Sequence, residues 1–311
     1  MPVTVEENEK YRVFVNKRAI EIGVFDFKPE DIVWHYTDGP GFLGIIQSSS
    51  LHATQVSSLN DSHETKYATD LFKTAIQKLI EEKAEDVTAR TFLHKVLELI
   101  KEDPTTPTHG TSKFFGTCFS GEEDDPIQWD RYAKSNGYAI GFLPRGLWRE
   151  PNSQLYKVVY DRALQEKVVK EFAEATLTFY LEGLQGERLQ DPEKWATEFF
   201  LAWDEWIYKL APLAKDIKWK AEHEYRLVHE LKYSEFNLVQ FKQRQTMLSR
   251  YLALQTPAWV KRKTHFLPIA RIIIGPGTNT AFTRISVLLL LEQMGSPTTP
   301  VDVSQVTLRM P

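Results

Sequence analysis

Strands on both sides of a long helical block predict an α+β fold. Three observations carry this expectation. Val33-Trp34-His35-Tyr36-Thr37 and Lys220 to Leu227 each combine β-branched and aromatic residues without Gly or Pro, the signature of a strand. Between them, from about Ala163 to Lys215, the chain is rich in Leu, Glu, Lys, Ala and aromatics at helical spacing. No internal repeat or low-complexity segment offers another organisation. We expect a helical leader over residues 1–30 and a single domain over 31–311, interrupted by a helical insertion at about 163–215.

The leader predicts a short helix near Asn8–Ile22. After the first strand, Asp38-Gly39-Pro40-Gly41 marks a turn. Phe42 to Ile46 begins a short helix, Ser48 to Ser50 ends it, and Leu51 to Thr54 reads as a strand. Leu71, Phe72, Ile76 and Ile80 fall at helical spacing, and a second helix covers roughly Val87–Glu102. Phe114–Ser120 reads as a strand. The acidic loop Gly121 to Pro126 follows, then a helical turn over Ile127 to Ala133. Gly137–Phe142, Leu155–Tyr160 and Ile269–Ile274 read as strands. Thr280–Met294 reads as a helix and Val301–Met310 as a final strand.

Composition excludes several classes. Of 311 residues, 42% are hydrophobic and 26% charged, as in soluble globular proteins. The net charge of −4 exerts no global pull on nucleic acid. A lone cysteine, Cys118, rules out an internal disulfide and points to a reducing compartment. The polar start and the short apolar run Ile285 to Leu291 fit neither a signal peptide nor a membrane span. A cytoplasmic, soluble protein without a membrane partner is expected. There is no Walker loop, no G-x-G-x-x-G after a strand and no zinc-ligand spacing, so no metal is expected.

Strand alternation places His35 and Thr37 on one face of the first strand. A hydroxyl and a neutral imidazole both donate and accept, so the pair can hold ribose hydroxyls; a strand histidine also commonly satisfies a core hydrogen bond. In the second strand Glu222, Glu224 and Arg226 share a face, the two carboxylates about 7 Å apart. Partly buried carboxylates that close raise one another's pKa. One can then act as a base while the other stays ionised. Arg226 can hold a phosphate or one of the acids; the plainer reading is a charged strand edge. Asp61 and Glu64 have capping-box spacing, with Asn60 and Glu64 within reach of a cleft. Trp129 and Tyr132, at i and i+3, are either core or a stacking pair for a base or nicotinamide. Lys242, Arg244, Arg250, Lys261, Arg262 and Lys263 make residues 242–263 basic, either a solvated face or a guide for nucleic acid.

H-Y-T at His35 to Thr37, L-N-D-x-x-E from Leu59, C-F-S at Cys118 to Ser120, W-x-x-Y at Trp129, G-Y-A-I-G-F from Gly137 and E-x-E-x-R at Glu222 together resemble the bacterial domain-of-unknown-function family 2971. The resemblance runs from about Val33 to Val306. That family is in turn similar to ADP-ribosyltransferases. The similarity implies a split mixed or antiparallel sheet core and a site for NAD as substrate. On this reading His35, Tyr36 and Thr37 grip the ribose and adenosine side, and Ser120 takes the middle-strand position. Trp129 and Tyr132 stack on nicotinamide. Glu224 is the catalytic acid and Glu222 the preceding acid. Phe119-Ser120 departs from the Tyr or Ser-Thr-Ser of many transferases.

The implied activity is ADP-ribosyl transfer to a nucleic acid or protein, as an effector in toxin–antitoxin or phage-defence systems with an antitoxin or regulatory partner. Two other classes fit the same residues. One is an NAD glycohydrolase. The other is a non-catalytic module binding nucleotide or nucleic acid.

Overall fold

The computed structural model describes residues 3–21, 31–56, 62–100, 113–134, 136–147, 152–210, 213–244, 247–255, 267–277 and 279–307. They form ten strands: β1 (Val33–Thr37), β2 (Leu51–Gln55), β3 (Phe114–Ser120), β4 (Tyr138–Phe142), β5 (Ser153–Lys157), β6 (Glu224–Glu230), β7 (Gln240–Arg244), β8 (Met247–Leu254), β9 (Ile269–Ile274) and β10 (Val301–Val303). The helices are α1 (Val5–Glu21), α2 (Gly39–Ser48), α3 (Ser62–Glu82), α4 (Val87–Leu99), α5 (Pro126–Tyr132), α6 (Pro144–Leu147), α7 (Arg162–Gly183), α8 (Pro192–Leu210) and α9 (Thr280–Gln293). The mixture of helices with an open, partly parallel sheet is an α+β fold.

The chain divides into two compact units, not into a leader and one interrupted domain. The helical unit is assembled from Met1–Phe25, Val56–Phe114 and Val158–Trp219. The expected leader is therefore part of it: α1 inserts Tyr11, 4% exposed, into its core. The expected insertion at 163–215 is also only one portion of this unit, because α3 and α4 share the same core. Periodicity explains the assembly. Ala89, Phe92, Leu93 and Val96 in α4 recur at i, i+3, i+4 and i+7 and are all buried. Asp86 caps α4 through the Ala89 N–H, and Asp161 caps α7 through the Leu164 N–H. Arg188, 7% exposed at its side chain, pairs with Glu7 at 2.8 Å and lies 3.6 Å over the Trp195 ring.

The sheet unit comprises Asp26–Gln55, Phe115–Lys157 and Lys220–Pro311. Its strand order is β10-β9-β4-β1-β3-β2-β8-β7. β9 and β10 are parallel, and the pairs β1–β3, β1–β4, β2–β3, β2–β8, β4–β9, β5–β6 and β7–β8 are antiparallel. β3 is the branch point. It pairs with β2 near its start, Thr54 opposite Gly116, and with β6, which carries β5.

Both faces of the sheet are covered near β1. Val33, Phe119, Ile140, Phe142, Leu155, Leu227 and Ile272 belong to one core, together with residues of α2 and α9. Trp34, Tyr36, Trp129, Ala139 and Ile273 form the other. β1 to β4 is fully in register, with Val33 opposite Phe142 and Thr37 opposite Tyr138.

Two elements differ from expectation in ways that matter below. The strand expected from Lys220 begins only at Glu224. Residues Ile217–Glu222 form a 3-10 turn, and His223 sits at φ +45°, outside the extended region. The final strand ends at Val303, well short of Met310. The hairpin of β7 and β8 was not anticipated by the reading of 242–263 as a basic stretch.

Candidate active site

The motifs that converge do so on the Trp34 face of the sheet. Ser120 lies opposite Trp34 in the β1–β3 ladder. Its hydroxyl donates to the Glu222 carbonyl at 3.0 Å and accepts from the Glu122 N–H at 3.1 Å. The Gly121 N–H donates to the His223 carbonyl at 2.8 Å. A Cβ at Gly121 would stand 3.0 Å from the Tyr225 ring, so the close approach of the two chains favours glycine here.

Glu222 is the centre of the cluster. The residue is 5% exposed. Its Oε1 accepts from Arg131 Nη1 at 2.7 Å, and the Tyr132 hydroxyl lies 3.4 Å away. Its carbonyl also accepts from Gln128 Nε2 at 3.3 Å. Arg131 and Tyr132 remain about two-fifths exposed. The carboxylate is thus buried, while the guanidinium and phenol that meet it are reached by solvent. Beside it, His223 Nδ1 and Glu122 Oε1 are 2.8 Å apart, each about half exposed.

α5 sets this geometry. Asp125 caps it through the Ile127 N–H, and Pro126 occupies its first turn. Gln128, Arg131 and Tyr132 fall at i, i+3 and i+4, one helical stripe, and all three reach Glu222. Trp129 points the other way. It is fully buried, its Nε1 donates to Asp124 Oδ1 at 2.7 Å, and its ring meets Tyr36 edge-on at 5.0 Å. Of its two expected roles, the core one holds, and nicotinamide stacking at Trp129 is corrected. The Tyr36 hydroxyl donates to the Glu122 carbonyl and accepts from the Asp125 N–H; burial raises its pKa. Tyr36 therefore braces the acidic loop.

Glu224 and Arg226 share a strand face, as alternation requires. They form a bidentate pair: Nε to Oε1 is 2.6 Å and Nη2 to Oε2 is 2.9 Å, with the Glu224 and Arg226 side chains 7% and 3% exposed. The expected pairing of Glu222 and Glu224 along one strand does not occur. The 3-10 turn and the positive φ at His223 break the alternation between them.

His35 lies across the sheet from these acids, and the expected single cleft is corrected accordingly. Its ring contacts Phe119 at 5.7 Å, within the core that also holds Leu227. Tyr225 packs against that same core; Glu224 and Arg226 alternate with Tyr225 and Leu227 and so face away from it. His35 Nδ1 is 2.9 Å from the Cys118 carbonyl, which can only accept, so Nδ1 carries the proton. Burial depresses the pKa; the Cys118 carbonyl opposes this and the charge of Lys242 adds to it. Thr37 is half-buried on the His35 face. Its hydroxyl lies so near Gly41 that a Cβ there would collide with it, so the start of α2 lies against it.

Asn60 lies outside the described residues, as do Asp61 and Lys261 to Lys263. Glu64 falls in the first turn of α3, in the helical unit, with its side chain outside the described set; the same holds for the side chain of Arg244. Among the described residues no group of three or more His, Cys, Asp or Glu could hold a metal ion, and no helix is long and apolar enough to cross a membrane. Sequence reasoning missed Arg131 and Gln128. The available signal was the i, i+3, i+4 stripe running through W-x-x-Y, where attention went to the aromatics.

No curated protein and no solved structure matches the chain. Residues 128–227 match the model of a family described as protein of unknown function, DUF2971. That span opens on Gln128 and closes on Leu227, and so contains the α5 stripe together with Glu222, Glu224 and Arg226. The match makes this stretch, about a third of the chain, similar to that family.

Proposed function

We propose that the Glu222 face binds NAD and transfers ADP-ribose to a macromolecular acceptor, with Glu222 rather than Glu224 as the reacting carboxylate. The observation that carries the reading is a buried acid gripped by Arg131 and Tyr132, both of which reach solvent. Such an acid is fixed in place and shielded, so its charge acts strongly on a cation formed nearby. The branch at β3, where β2 and β6 both join one strand, supports a split-sheet, transferase-like reading of the fold.

In the reaction the bond between ribose C1′ and the nicotinamide nitrogen breaks. Nicotinamide leaves with the bonding electrons as a neutral molecule. The ribose becomes oxocarbenium-like, as in glycoside cleavage, and the Glu222 carboxylate stabilises that charge. The acceptor oxygen or nitrogen bonds to C1′ and releases its proton to a carboxylate. Arg131 suits the pyrophosphate, because a guanidinium forks onto paired oxygens. Tyr132 is the remaining aromatic candidate for the nicotinamide ring. The sealed Glu224–Arg226 pair supports the strand beneath.

The test is incubation with NAD labelled on the adenylate, with nicotinamide release followed in parallel. Label on a macromolecule together with nicotinamide release is the expected outcome. Free ADP-ribose alone would make the protein a glycohydrolase. No nicotinamide release with any macromolecular fraction would remove the catalytic reading.

A further inference from the structure

Charge is segregated along this chain. Between Phe236 and Leu291 there are eight Lys and Arg and not one Asp or Glu. The chain as a whole carries net charge −4, so the rest is decidedly acidic. The described centre of the basic stretch is the β7–β8 hairpin, which continues the sheet from β2. Its residues pair as Gln240 with Tyr251, Phe241 with Arg250 and Lys242 with Ser249.

Each face of the hairpin mixes aromatic or apolar groups with cations and neutral amides. On one face Lys242 Nζ lies 5.0 Å from the centroid of Tyr251, and the Tyr251 hydroxyl donates to Gln240 at 2.6 Å. His52, exposed on the neighbouring β2, meets the same ring at 4.5 Å and 40°. Alternation puts Phe241, Gln243, Leu248 and Arg250 on the other face. Phe241 and Leu248 are 61% and 63% exposed, and Arg250 donates to Gln55 Oε1 at 2.7 Å. The positive charge of Lys242 helps to lower the pKa of His52, after burial, which keeps that imidazole neutral.

We infer that the β7–β8 hairpin, with His52 beside it, is a docking surface for single-stranded nucleic acid. Charge complementarity selects a polyanion. The interleaved rings select one with aromatic faces: on the Lys242 face a single strand offers phosphate to Lys242 and unstacked bases to His52 and Tyr251. The Gln240 amide, on the same face, has its N–H donors to present to base edges. A duplex hides its bases, and an anionic membrane or acidic protein has no use for this combination. This inference does not depend on the NAD reading, since binding is measured without NAD.

The experiment uses the full chain and a fluorescent 20-nucleotide single strand of mixed sequence, as RNA and as DNA, read by anisotropy. Binding should weaken steeply with salt, with a slope of about −0.7 per phosphate contacted. Lys242→Gln should weaken binding and make that slope shallower. Tyr251→Ala should weaken it about fivefold or more at constant slope, in line with the loss of one base stack. His52→Ala, at an exposed position beside the same ring, provides a second stacking variant, whereas Phe241→Ala, on the opposite face, should bind like the parent. The inference is overturned by absence of binding at low salt. It is equally overturned if duplex, heparin or anionic vesicles bind as tightly as the single strand, or if Tyr251→Ala and His52→Ala both bind like the parent.

Discussion

Two carboxylates two residues apart live in different worlds. Glu224 and its partner Arg226 are both sealed, at 7% and 3% side-chain exposure. Glu222 is as buried as Glu224, but its partner Arg131 is 43% exposed. A sealed bidentate pair has satisfied its charge before any ligand arrives, and separating it leaves an uncompensated ion in the interior. An acid held by a guanidinium at the surface can exchange that partner for a substrate group at small cost. The difference teaches that carboxylate spacing in sequence does not fix an acid's surroundings: the counter-ion of one is exposed and that of the other is sealed.

The most drastic way to break this contrast is Arg226→Ala. It removes the bidentate partner of a buried carboxylate and should cost about 3–5 kcal/mol of stability in denaturant unfolding. A cost under about 1 kcal/mol would mean that Glu224 is already open to water and competent to react. Arg131→Ala is the counterpart. Because the guanidinium is reached by solvent, it should cost less than Arg226→Ala, while nicotinamide release falls steeply.

The helical unit contains an intermediate case. Arg188 is buried but Glu7 is about one-third exposed. Hydrogen bonding to Arg188, despite some burial, lowers the Glu7 pKa to about 2. A depressed carboxylate stabilises the folded state fully above its unfolded pKa, near 4.5. That contribution is lost as pH falls through the folded value near 2. After allowance for screening at the exposed acid, it amounts to about 1–2 kcal/mol. Unfolding midpoints of the parent and Glu7→Gln should differ at pH 6 and converge toward pH 2. A constant difference across that range would assign the effect to packing.

The smallest expected effect sharpens the distinction between the two sheet faces. His35 has a depressed pKa, so its neutral form is favoured on folding. Stability from this group is present above the unfolded value of about 6.5 and declines as pH falls below it, because the unfolded state takes up the proton first. His35→Gln should flatten this decline by a fraction of a kcal/mol. A steeper decline in the variant would show that His35 gains a proton on folding, as expected of a histidine beside an acid.

Much of the secondary structure was legible. Phe114–Ser120 and Ile269–Ile274 have the expected bounds, because β-branched and aromatic runs bounded by turn residues admit few other conformations. α2 was marked by Asp38 and Pro40, which supply the cap and the first turn. The break before Glu224 was not legible: nothing in Lys-Ala-Glu-His-Glu announces a left-handed His223. That one residue decides which acid joins the strand. The opposite placement of His35 and Glu224 was equally hidden, because alternation fixes faces within a strand but not between strands. The two-unit division was obscured because its helices come from three separated stretches, and pattern along the chain does not show which of them share a core.

The most direct test compares Glu222→Gln and Glu224→Gln for nicotinamide release from NAD, with unfolding measured on each. Glu222→Gln should keep the fold and lose about a hundredfold or more in rate, the loss typical of removing a positioned catalytic group. Glu224→Gln should lose stability, with any fall in rate tracking the folded fraction. Wild-type release by Glu222→Gln, or a catalytic loss confined to a fully folded Glu224→Gln, would contradict the account.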